Sequence, residues 1–355
     1  MKQPGFISQI LEDLEKVPAT VRSSINSPGG LHESSLLRLL TRPHDDRIVV
    51  FSPPVDGVVG FYHETLEEHT ELGSKVLVDE KVAFCIDATS SDIDGKTLDG
   101  LVRIPDLNMS LITLKLFQAV GTGPIWIVVP SSHISAVSAH IASQIGIDIG
   151  RITIIEQKET YKITPDNKLL FDGSLPCTSG GGSGGLLTSL SMCPQYEQFK
   201  ARGGKHVFAV NVTNAFAFLD PIVIGHHIKS GKKVTCEVTR RKPNEVGSVL
   251  AESTTGVRAV DIRRIDVDNA DEYSWLCTDS YVFDTSVELC NVHSDWCRIQ
   301  TDRNGSVEVH YQKFFDDITA SYETNFLGTS RHERFMRLAS QADLAAAQQI
   351  VSINL

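Results

Sequence analysis

The feature that most constrains the fold is a series of short apolar segments that alternate with helical segments. The apolar segments are rich in β-branched residues and are interrupted by few polar positions. Continuous apolar strands that alternate with helices are typical of a parallel sheet covered on both faces. The candidate strands are 48–55, 82–87, 125–132, 152–157 and 206–212, and the candidate helices between them are 109–120 and 134–145.

The two ends of the chain differ from this central pattern. Residues 6–17 place apolar side chains on one face of an amphipathic helix, and a second helix is predicted near Glu33–Leu40. Arg331–Leu355 is predicted to be helical in its middle. Alternating apolar and polar residues predict antiparallel strands that join the same sheet in the segments 232–241, 247–254, 257–266 and 306–315.

The expected architecture is therefore a GT-A-like, Rossmann-type α/β fold. Its mixed, mostly parallel sheet is flanked by helices, and additional antiparallel strands lie in the C-terminal part. The expected domain organisation is an N-terminal helical segment at 1–45, an α/β domain at 46–345 and a C-terminal tail at 346–355.

Charge and cysteine content exclude several classes of protein. The formal net charge of −11 offers no basic surface for nucleic acid or for an anionic membrane. The seven cysteines show no paired CxxC spacing, which argues against a cysteine zinc site and a disulfide framework. The first residues contain acidic side chains where a signal peptide needs an apolar core. We therefore expect a cytoplasmic protein without membrane contact.

A glycine-rich segment, Thr178–Gly185, interrupts the globular pattern. Its composition is that of a flexible linker. It also lies between a candidate strand and an apolar helix start, which suits a loop whose backbone approaches a ligand. Both interpretations remain open from the sequence. Neither a P-loop nor a dinucleotide fingerprint follows the first candidate strand.

Five stretches in order carry a resemblance to a known family. They are Ile154–Gln157 with the run to Leu175–Cys177, the loop and helix Gly180–Leu190, the strand Lys205–Asn214, the segment Glu237–Arg241 with Gly247–Leu250, and Arg334–Leu344. In this order and spacing they resemble the eukaryotic-type UDP-glucose pyrophosphorylase family. The resemblance covers roughly residues 80–345. It implies a nucleotide cleft at the carboxyl ends of the strands.

The resemblance also implies an activity and a cofactor. Enzymes of this family join a nucleoside triphosphate to a sugar 1-phosphate and release pyrophosphate. That chemistry depends on positioning and on neutralising phosphate charge, usually with Mg²⁺ and lysines. The resemblance implies that a nucleotide or a nucleotide sugar binds in the cleft. It leaves open whether the chain also has a protein partner.

The family positions that handle phosphate are altered in this chain. The glycine-rich first loop is replaced by 85–100, which carries acidic residues, and Asp99 stands where the family has a lysine. Thr213 replaces the metal-binding aspartate, so Mg²⁺ is only weakly supported and no metal ligand set is predicted. Ala339 replaces the late lysine. The cations that remain as catalytic candidates are Lys96, Arg103 and Arg337.

Positions matched to the nucleoside and the sugar are retained better. The resemblance assigns nucleotide contact to Gln157, Gly182, Ser183, Gly184, Asn211 and Asn214, and sugar contact to Thr278 and Asp279. An amide such as Gln157 suits base reading because it offers both a donor and an acceptor. Each residue also has a structural alternative. Gln157 suits a surface strand, and the two asparagines suit the turn after a strand.

Three functions follow from these observations. The first is an active nucleotidylyltransferase that acts on a sugar or cyclitol 1-phosphate. The second is an inactive relative that binds a nucleotide sugar as a sensor or as a partner subunit. The third is a scaffold or another activity on the same sheet. The pair His226–His227 is predicted to be ordinary helix residues, because two adjacent histidines are weak evidence for a metal.

Overall fold

The computed structural model describes residues 5–41, 51–54, 59–61, 66–90, 93, 97–105, 107, 109–119, 123–144, 146–265, 270–303 and 306–354. The α-helices are α1 (Gly5–Lys16), α2 (Ala19–Ile25), α3 (Glu33–Thr41), α4 (Leu66–Val78), α5 (Leu111–Phe117), α6 (Ile134–Ala142), α7 (Gly185–Ser191), α8 (Pro194–Ala201), α9 (Pro221–Ser230), α10 (Ile318–Ser321), α11 (Arg331–Arg334) and α12 (Gln341–Asn354). None of these described helices combines the length and apolarity that crossing a bilayer requires.

The strands form one large sheet and several two-stranded ones. They are β1 (Val59–Phe61), β2 (Val82–Asp87), β3 (Arg103–Ile104), β4 (Met109–Ser110), β5 (Ile125–Pro130), β6 (Ile152–Gln157), β7 (Glu159–Tyr161), β8 (Phe171–Asp172), β9 (Leu175–Pro176), β10 (Thr178–Gly180), β11 (His206–Asn211), β12 (Val234–Arg240), β13 (Ser248–Ser253), β14 (Gly256–Asp261), β15 (Trp275–Asp284), β16 (Cys297–Arg303), β17 (Ser306–Gln312) and β18 (Thr324–Gly328).

The large sheet has the order β1-β18-β12-β15-β11-β2-β5-β6. All of these strands run in one direction except β15, which is antiparallel to both of its neighbours, β12 and β11. The hairpin β13–β14 joins the sheet through a single pairing of Val249 with Leu276. The carboxyl ends of β2, β5, β6 and β11 therefore meet at one edge, which places the loops after these strands together.

Both faces of the sheet are covered because its central strands are apolar at every position. The six residues of β2 are all buried, and so are the six of β5. On one face, side chains such as Phe84 pack against α5, α6, α9 and α12. On the other face, Cys85 and Trp126 pack against α7 and α8. Burial of both faces explains why these strands read as continuous apolar runs rather than as alternating ones.

The N-terminal helices cover a separate, smaller apolar cluster. Ile10 and Leu36 of α1 and α3 pack against Tyr161 of β7 and Val309 of β17. Arg22 of α2 forms a bidentate ion pair with Glu33 at the start of α3, with distances of 2.9 and 2.7 Å. The N-terminal segment is thereby attached to the insertion between β6 and α7 and to the hairpin β16–β17.

Most of the expected architecture is confirmed. The mostly parallel sheet, its flanking helices and the antiparallel C-terminal strands β13, β14 and β15 are present. One detail was wrong. The segment 306–315 does not join the large sheet, because β17 pairs with β16 in a separate hairpin. The segment 232–241 forms β12, which is antiparallel to β15, as expected, and parallel to β18 on its other side. Of the expected strand at 48–55, residues 51–54 are described, and Ser52 there pairs with Glu252.

Candidate functional site

A cleft opens at the carboxyl edge of the sheet. It is bounded by the ends of β2 and β11, by the glycine loop before α7 and by the middle of β15. Its walls are formed by Asp87, Ser183, Leu186, Ala209, Val210, Asn211, Asp279, Tyr281 and Phe315. Strand register explains the meeting of two of these residues, because Asn211 and Asp87 are paired neighbours at the ends of parallel strands.

The glycine loop is a packed element of this cleft and not a linker between domains. The Gly184 amide donates to the Lys313 carbonyl at 2.9 Å, and the Lys313 amide donates to the Gly181 carbonyl at 2.8 Å. Gly182 has φ = 79°, and a Cβ there would lie 2.4 Å from the Lys313 carbonyl oxygen. Both the backbone conformation and the close approach therefore require glycine at position 182. Ser183 accepts from the Phe315 amide at 3.1 Å and faces the cleft.

Gln157 lies beneath this loop and supports it. The side chain is 1% exposed, and its Nε2 donates to the Gly182 carbonyl at 2.7 Å. A Cβ on Gly185 would lie 1.8 Å from the same Nε2, so glycine at this position makes room for the amide. The Oε1 atom is buried without a hydrogen-bond partner. Gln157 thus combines a structural contact with one unused acceptor.

The two asparagines after β11 have different surroundings. Asn211 lines the cleft, and its Oδ1 accepts from the Thr213 amide at 2.9 Å and from the Thr213 hydroxyl at 2.7 Å. Asn214 is 1% exposed, and its side chain makes four bonds to the backbone. Its Nδ2 donates to the Thr278 and Arg334 carbonyls, and its Oδ1 accepts from the Phe216 and Met336 amides. Asn214 therefore fastens the cleft floor from below.

Buried charges support this floor. The Arg334 guanidinium is 1% exposed and binds the fully buried Glu237 carboxylate through two bonds of 2.9 and 2.7 Å. The Lys115 ammonium, also fully buried, donates to the Asn214 and Ala217 carbonyls. Burial beside Arg334 lowers the pKa of Lys115 well below its usual value. These groups hold the backbone at Asn214 and lie beneath the cleft rather than in it.

Of the two residues expected to contact sugar, Asp279 faces the cleft and Thr278 does not. Thr278 is fully buried, and its hydroxyl donates to the Glu237 carbonyl at 3.1 Å. Asp279 has φ = 56° although it stands within β15. A left-handed backbone at a non-glycine residue is uncommon and costs free energy. The left-handed conformation of Asp279 coincides with a shift in the pairing register between β12 and β15.

Three carboxyl groups in and behind the cleft have raised pKa values. Burial raises the pKa of Asp87 to about 6 despite hydrogen bonds from the Thr89 amide and hydroxyl, and the charge of Asp279 adds to the shift. Burial likewise raises the pKa of Asp279, against the charge of Arg337. Behind them, burial and the charge of Asp279 raise the pKa of Asp316 to about 7. Asp316 accepts hydrogen bonds from Tyr281 and Ser248.

Two of the three expected catalytic cations are described, and they lie apart. Lys96 lies outside the described residues. Arg103 stands on β3, exposed, beside His140 of α6 rather than among the cleft residues. Arg337 is exposed near the cleft, where its charge acts on Asp279 and its Nη1 donates to the Val246 carbonyl at 2.8 Å. Of the two described candidates, Arg337 is therefore the one placed near the cleft.

The altered family positions supply no positive charge either. Asp99 is fully buried and accepts from the Ile93 amide at 2.9 Å. Thr213 donates to Asn211, and Ala339 is exposed. Among the described residues that line the cleft, the charged side chains are the carboxylates Asp87 and Asp279.

The chemistry of this donor set fits a divalent cation. Mg²⁺ is commonly held by one or two carboxylates together with the phosphates of a substrate. Asp87 and Asp279 face the same cavity, and the charge of Asp279 contributes to the raised pKa of Asp87. A cation between them would neutralise the charge that burial now opposes. Thr213, by contrast, spends its hydroxyl on Asn211.

Sequence reasoning missed Tyr281, Phe315 and Asp316 as residues at this site. Two acidic residues that follow an apolar segment, as Asp316 and Asp317 do, were the available signal. Asp87 belongs to the acidic segment 85–100 and was not predicted as a ligand. Its position as the last residue of a buried strand was the clue that it faces the strand-end cleft.

Comparison with known proteins identifies a family whose model matches part of the chain. Residues 124–286 match the model of the UTP–glucose-1-phosphate uridylyltransferase family. A search of curated proteins finds no match to the chain.

Solved structures share the fold at low identity. A UDP-glucose phosphorylase from Trypanosoma brucei has a TM-score of 0.74 at 14% identity, covering 96% of this chain and 79% of that one. A mutant UDP-glucose pyrophosphorylase from Leishmania major in complex with UDP-glucose has a TM-score of 0.71 at 12% identity, covering 97% and 79%. An inhibitor complex of the T. brucei UDP-N-acetylglucosamine pyrophosphorylase has a TM-score of 0.69 at 14% identity, covering 96% and 81%. Residues 124–286, somewhat less than half of the chain, are thus similar to the UTP–glucose-1-phosphate uridylyltransferase family, and the solved structures share the fold.

Proposed function

We propose that the chain binds a nucleoside diphosphate sugar, with UDP-sugars as the first class to test, in the cleft at the carboxyl edge of the sheet. The single observation that supports this proposal best is the joint placement of the glycine loop, Asn211 and two carboxylates, Asp87 and Asp279, around one cavity. The UDP-glucose complex of the L. major protein, which shares the fold, agrees with this ligand class.

Binding of a diphosphate beside two carboxylates requires a cation. Two like charges about 4 Å apart repel by about 1 kcal/mol even in water, and by more in a partly buried site. We infer that Asp87 and Asp279 hold a divalent cation together with the diphosphate. When bound, this cation supplies charge neutralisation at the phosphates. Nucleotide affinity is then expected to depend on Mg²⁺.

The remaining residues have separate tasks in this proposal. Gly182 and Gly184 let the loop pack closely against Lys313 because neither carries a Cβ, and this packing would hold Ser183 between them towards the nucleotide. Gln157 holds that backbone and offers its unused Oε1 as an acceptor. Asp279 would bind a sugar hydroxyl or the cation, and the charge of Arg337 acts on its carboxylate. Asn214 and Thr278 contribute by fixing the floor.

The ordinary transfer reaction is proposed to be very slow or absent. In that reaction a sugar phosphate oxygen attacks the α-phosphorus of a nucleoside triphosphate, and the bond to the departing pyrophosphate breaks. Charge builds up on the pyrophosphate as it leaves and must be balanced by positioned cations. The buried carboxylate of Asp99, the hydroxyl of Thr213 and the methyl group of Ala339 supply no such cation.

This charge distribution favours a second candidate function, binding without turnover. An inactive relative that binds a nucleotide sugar would serve as a sensor or as a partner subunit. Such a protein needs the nucleoside contacts and the cation, and it does not need leaving-group cations. Arg337, whose charge acts on Asp279, is the observation that works against this candidate.

The proposed function is tested by a thermal-shift panel of nucleotides and nucleotide sugars with and without Mg²⁺. A ligand at 100 times its Kd stabilises the native state by about 2.7 kcal/mol, which raises Tm measurably. The matched pair of variants is Asp87→Asn in the cleft and Asp172→Asn on the exposed end of β8. We expect a Tm rise with UDP-sugar plus Mg²⁺ in wild type and in Asp172→Asn, and none in Asp87→Asn. Equal rises in all three proteins would refute the site.

A further inference from the structure

A second cluster of ligand-type side chains lies at the amino edge of the sheet, opposite the cleft. His206 is the first residue of β11, and Asp284, the last residue of β15, is its direct cross-strand partner. His227 approaches both of them from α9. The ligand atoms of these three residues all lie within 4.8 Å of one another. His226, adjacent to His227 in sequence, instead contacts His69, with ring centroids 3.7 Å apart.

One carboxylate oxygen is shared by the two imidazoles. Asp284 Oδ1 lies 2.9 Å from His206 Nδ1 and 3.2 Å from His227 Nε2. In a tetrahedral zinc site with bonds of about 2.0–2.1 Å, two ligand atoms are about 3.3 Å apart. These two observed separations therefore differ from the edges of such a site by only a few tenths of an ångström.

A simple hydrogen-bond network explains only part of this arrangement. His227 Nε2 makes a hydrogen bond with Asp284 Oδ1. His206 is 8% exposed, and its buried Nδ1 has no hydrogen-bond partner although the carboxylate oxygen is close. An N–H bond at His206 Nδ1 therefore does not point at the Asp284 carboxylate. A buried ring nitrogen that lies 2.9 Å from a carboxylate oxygen without an aligned hydrogen bond, and beside a second imidazole, is placed as a metal ligand would be.

The surroundings of the cluster fit a ligand set. The second ring nitrogen of His227, Nδ1, lies 3.0 Å from the Thr235 hydroxyl. Partners of this kind fix the tautomer and the ring orientation of metal-binding histidines. Lys233 contacts the other carboxylate oxygen, Oδ2, at 3.4 Å and leaves Oδ1 to the imidazoles.

We propose that His206, His227 and Asp284 form a binding site for a divalent transition metal of the Zn²⁺ class. Two imidazoles and one carboxylate suit such ions better than Mg²⁺, which prefers oxygen ligands. The metal would join the start of β11, the end of β15 and helix α9. Because these residues lie at the edge opposite Asp87 and Asp279, the site has a structural task and is independent of the nucleotide cleft.

The test is calorimetric titration of the chelator-treated, dialysed full chain with Zn²⁺, and with Co²⁺ followed by its visible absorption. The variants are His206→Asn and His227→Gln, whose amides occupy the positions of the ring nitrogens without being good metal ligands. The control is His332→Gln, because His332 is exposed and outside the cluster. Mg²⁺ serves as the cation that should not compete.

We expect wild type and His332→Gln to bind one equivalent of Zn²⁺. Both cluster variants should bind it more than about tenfold more weakly, because loss of even a residue that only supports a metal ligand lowers metal affinity about 10- to 100-fold. The Co²⁺ spectrum of that equivalent should lack a thiolate charge-transfer band, which separates it from binding at cysteine. Unchanged Tm of the metal-free variants would show that they fold. Equal Zn²⁺ affinity in all four proteins, or a thiolate spectrum, would overturn the proposal.

Discussion

The two ends of strand β11 place carboxylates in opposite electrostatic surroundings. At the amino end Asp284 is partly buried, which opposes its charge, yet the neighbouring His206 and His227 hold its pKa well below the usual range. At the carboxyl end burial raises the pKa of Asp87 to about 6. The first carboxylate has two imidazoles and the Lys233 ammonium as partners within the fold. The second faces a cleft whose described lining offers no cationic side chain.

This difference shows how a fold can mark a ligand site. A buried carboxylate without a cation destabilises the native state, because desolvation penalises the charged form. The chain keeps two such carboxylates, Asp87 and Asp279, at the edge where nucleotides bind in related folds. Under the proposed function, their charge would be offset by a cation that binds together with a diphosphate.

The largest expected effect concerns turnover in the cleft. Pyrophosphate release from common nucleoside triphosphates with glucose 1-phosphate and Mg²⁺ should be far slower than about 1 s⁻¹, the low end of the usual enzyme range. Loss of one preorganised electrostatic contact costs about 100- to 1000-fold in rate, and several are altered here. The positive control is an active enzyme of the family. Turnover at or above about 1 s⁻¹ would show that other cations serve the reaction.

The next largest effect concerns the stability of the protein when the Asp87 carboxylate is replaced by a neutral amide. Asp87→Asn should stabilise the metal-free protein by up to about 3 kcal/mol near pH 7, because the folded pKa of about 6 lies above the ordinary value of 3.8. A raised folded pKa means that wild-type stability is lost as pH rises through about 6. The difference between the two proteins should therefore vanish below about pH 4.

This prediction is measured by urea unfolding of both proteins at several pH values without metal. Asp172→Asn, on the exposed end of β8, is the matched substitution outside the cleft and should show little change. If the difference in unfolding free energy between Asp87→Asn and wild type does not depend on pH, burial does not raise the pKa of Asp87 as described.

A smaller effect tests the support under the glycine loop. Gln157→Ala removes the bond to the Gly182 carbonyl and the free acceptor Oε1. Nucleotide-sugar binding should weaken by about 1–3 kcal/mol, the usual cost of losing a buried hydrogen-bonding partner. Gln198→Ala on the exposed face of α8 is the control. Calorimetry that finds equal affinity in wild type and Gln157→Ala would remove Gln157 from the site.

The central sheet could be predicted because its strands carry their own signal. Strands β2, β5, β6 and β11 are short apolar runs, and burial on both faces requires that composition. The segment of β17 has the same strand signal, yet it pairs with β16 in a separate hairpin. Strand propensity is local, whereas the choice of partner depends on tertiary contacts that the pattern does not contain.

The candidate site was less visible in the sequence for a related reason. The glycine loop was recognised, but its packing against Lys313 depends on a segment more than a hundred residues away. Asn214 resembles a ligand residue in sequence, and only the structure reveals its four backbone bonds. His227 likewise gains significance from Asp284, which lies 57 positions later. Such contacts join residues that no local motif links.

The most direct test of the account is calorimetric titration of the wild-type chain with UDP-glucose in the presence and absence of Mg²⁺ at pH 7.5. The account predicts one site whose affinity rises at least about tenfold with Mg²⁺, a difference of about 1.4 kcal/mol, and whose Mg²⁺ dependence disappears in Asp87→Asn. Binding of equal strength with and without Mg²⁺, or a Mg²⁺ effect that survives in Asp87→Asn, would contradict a cation-dependent cleft built on Asp87 and Asp279.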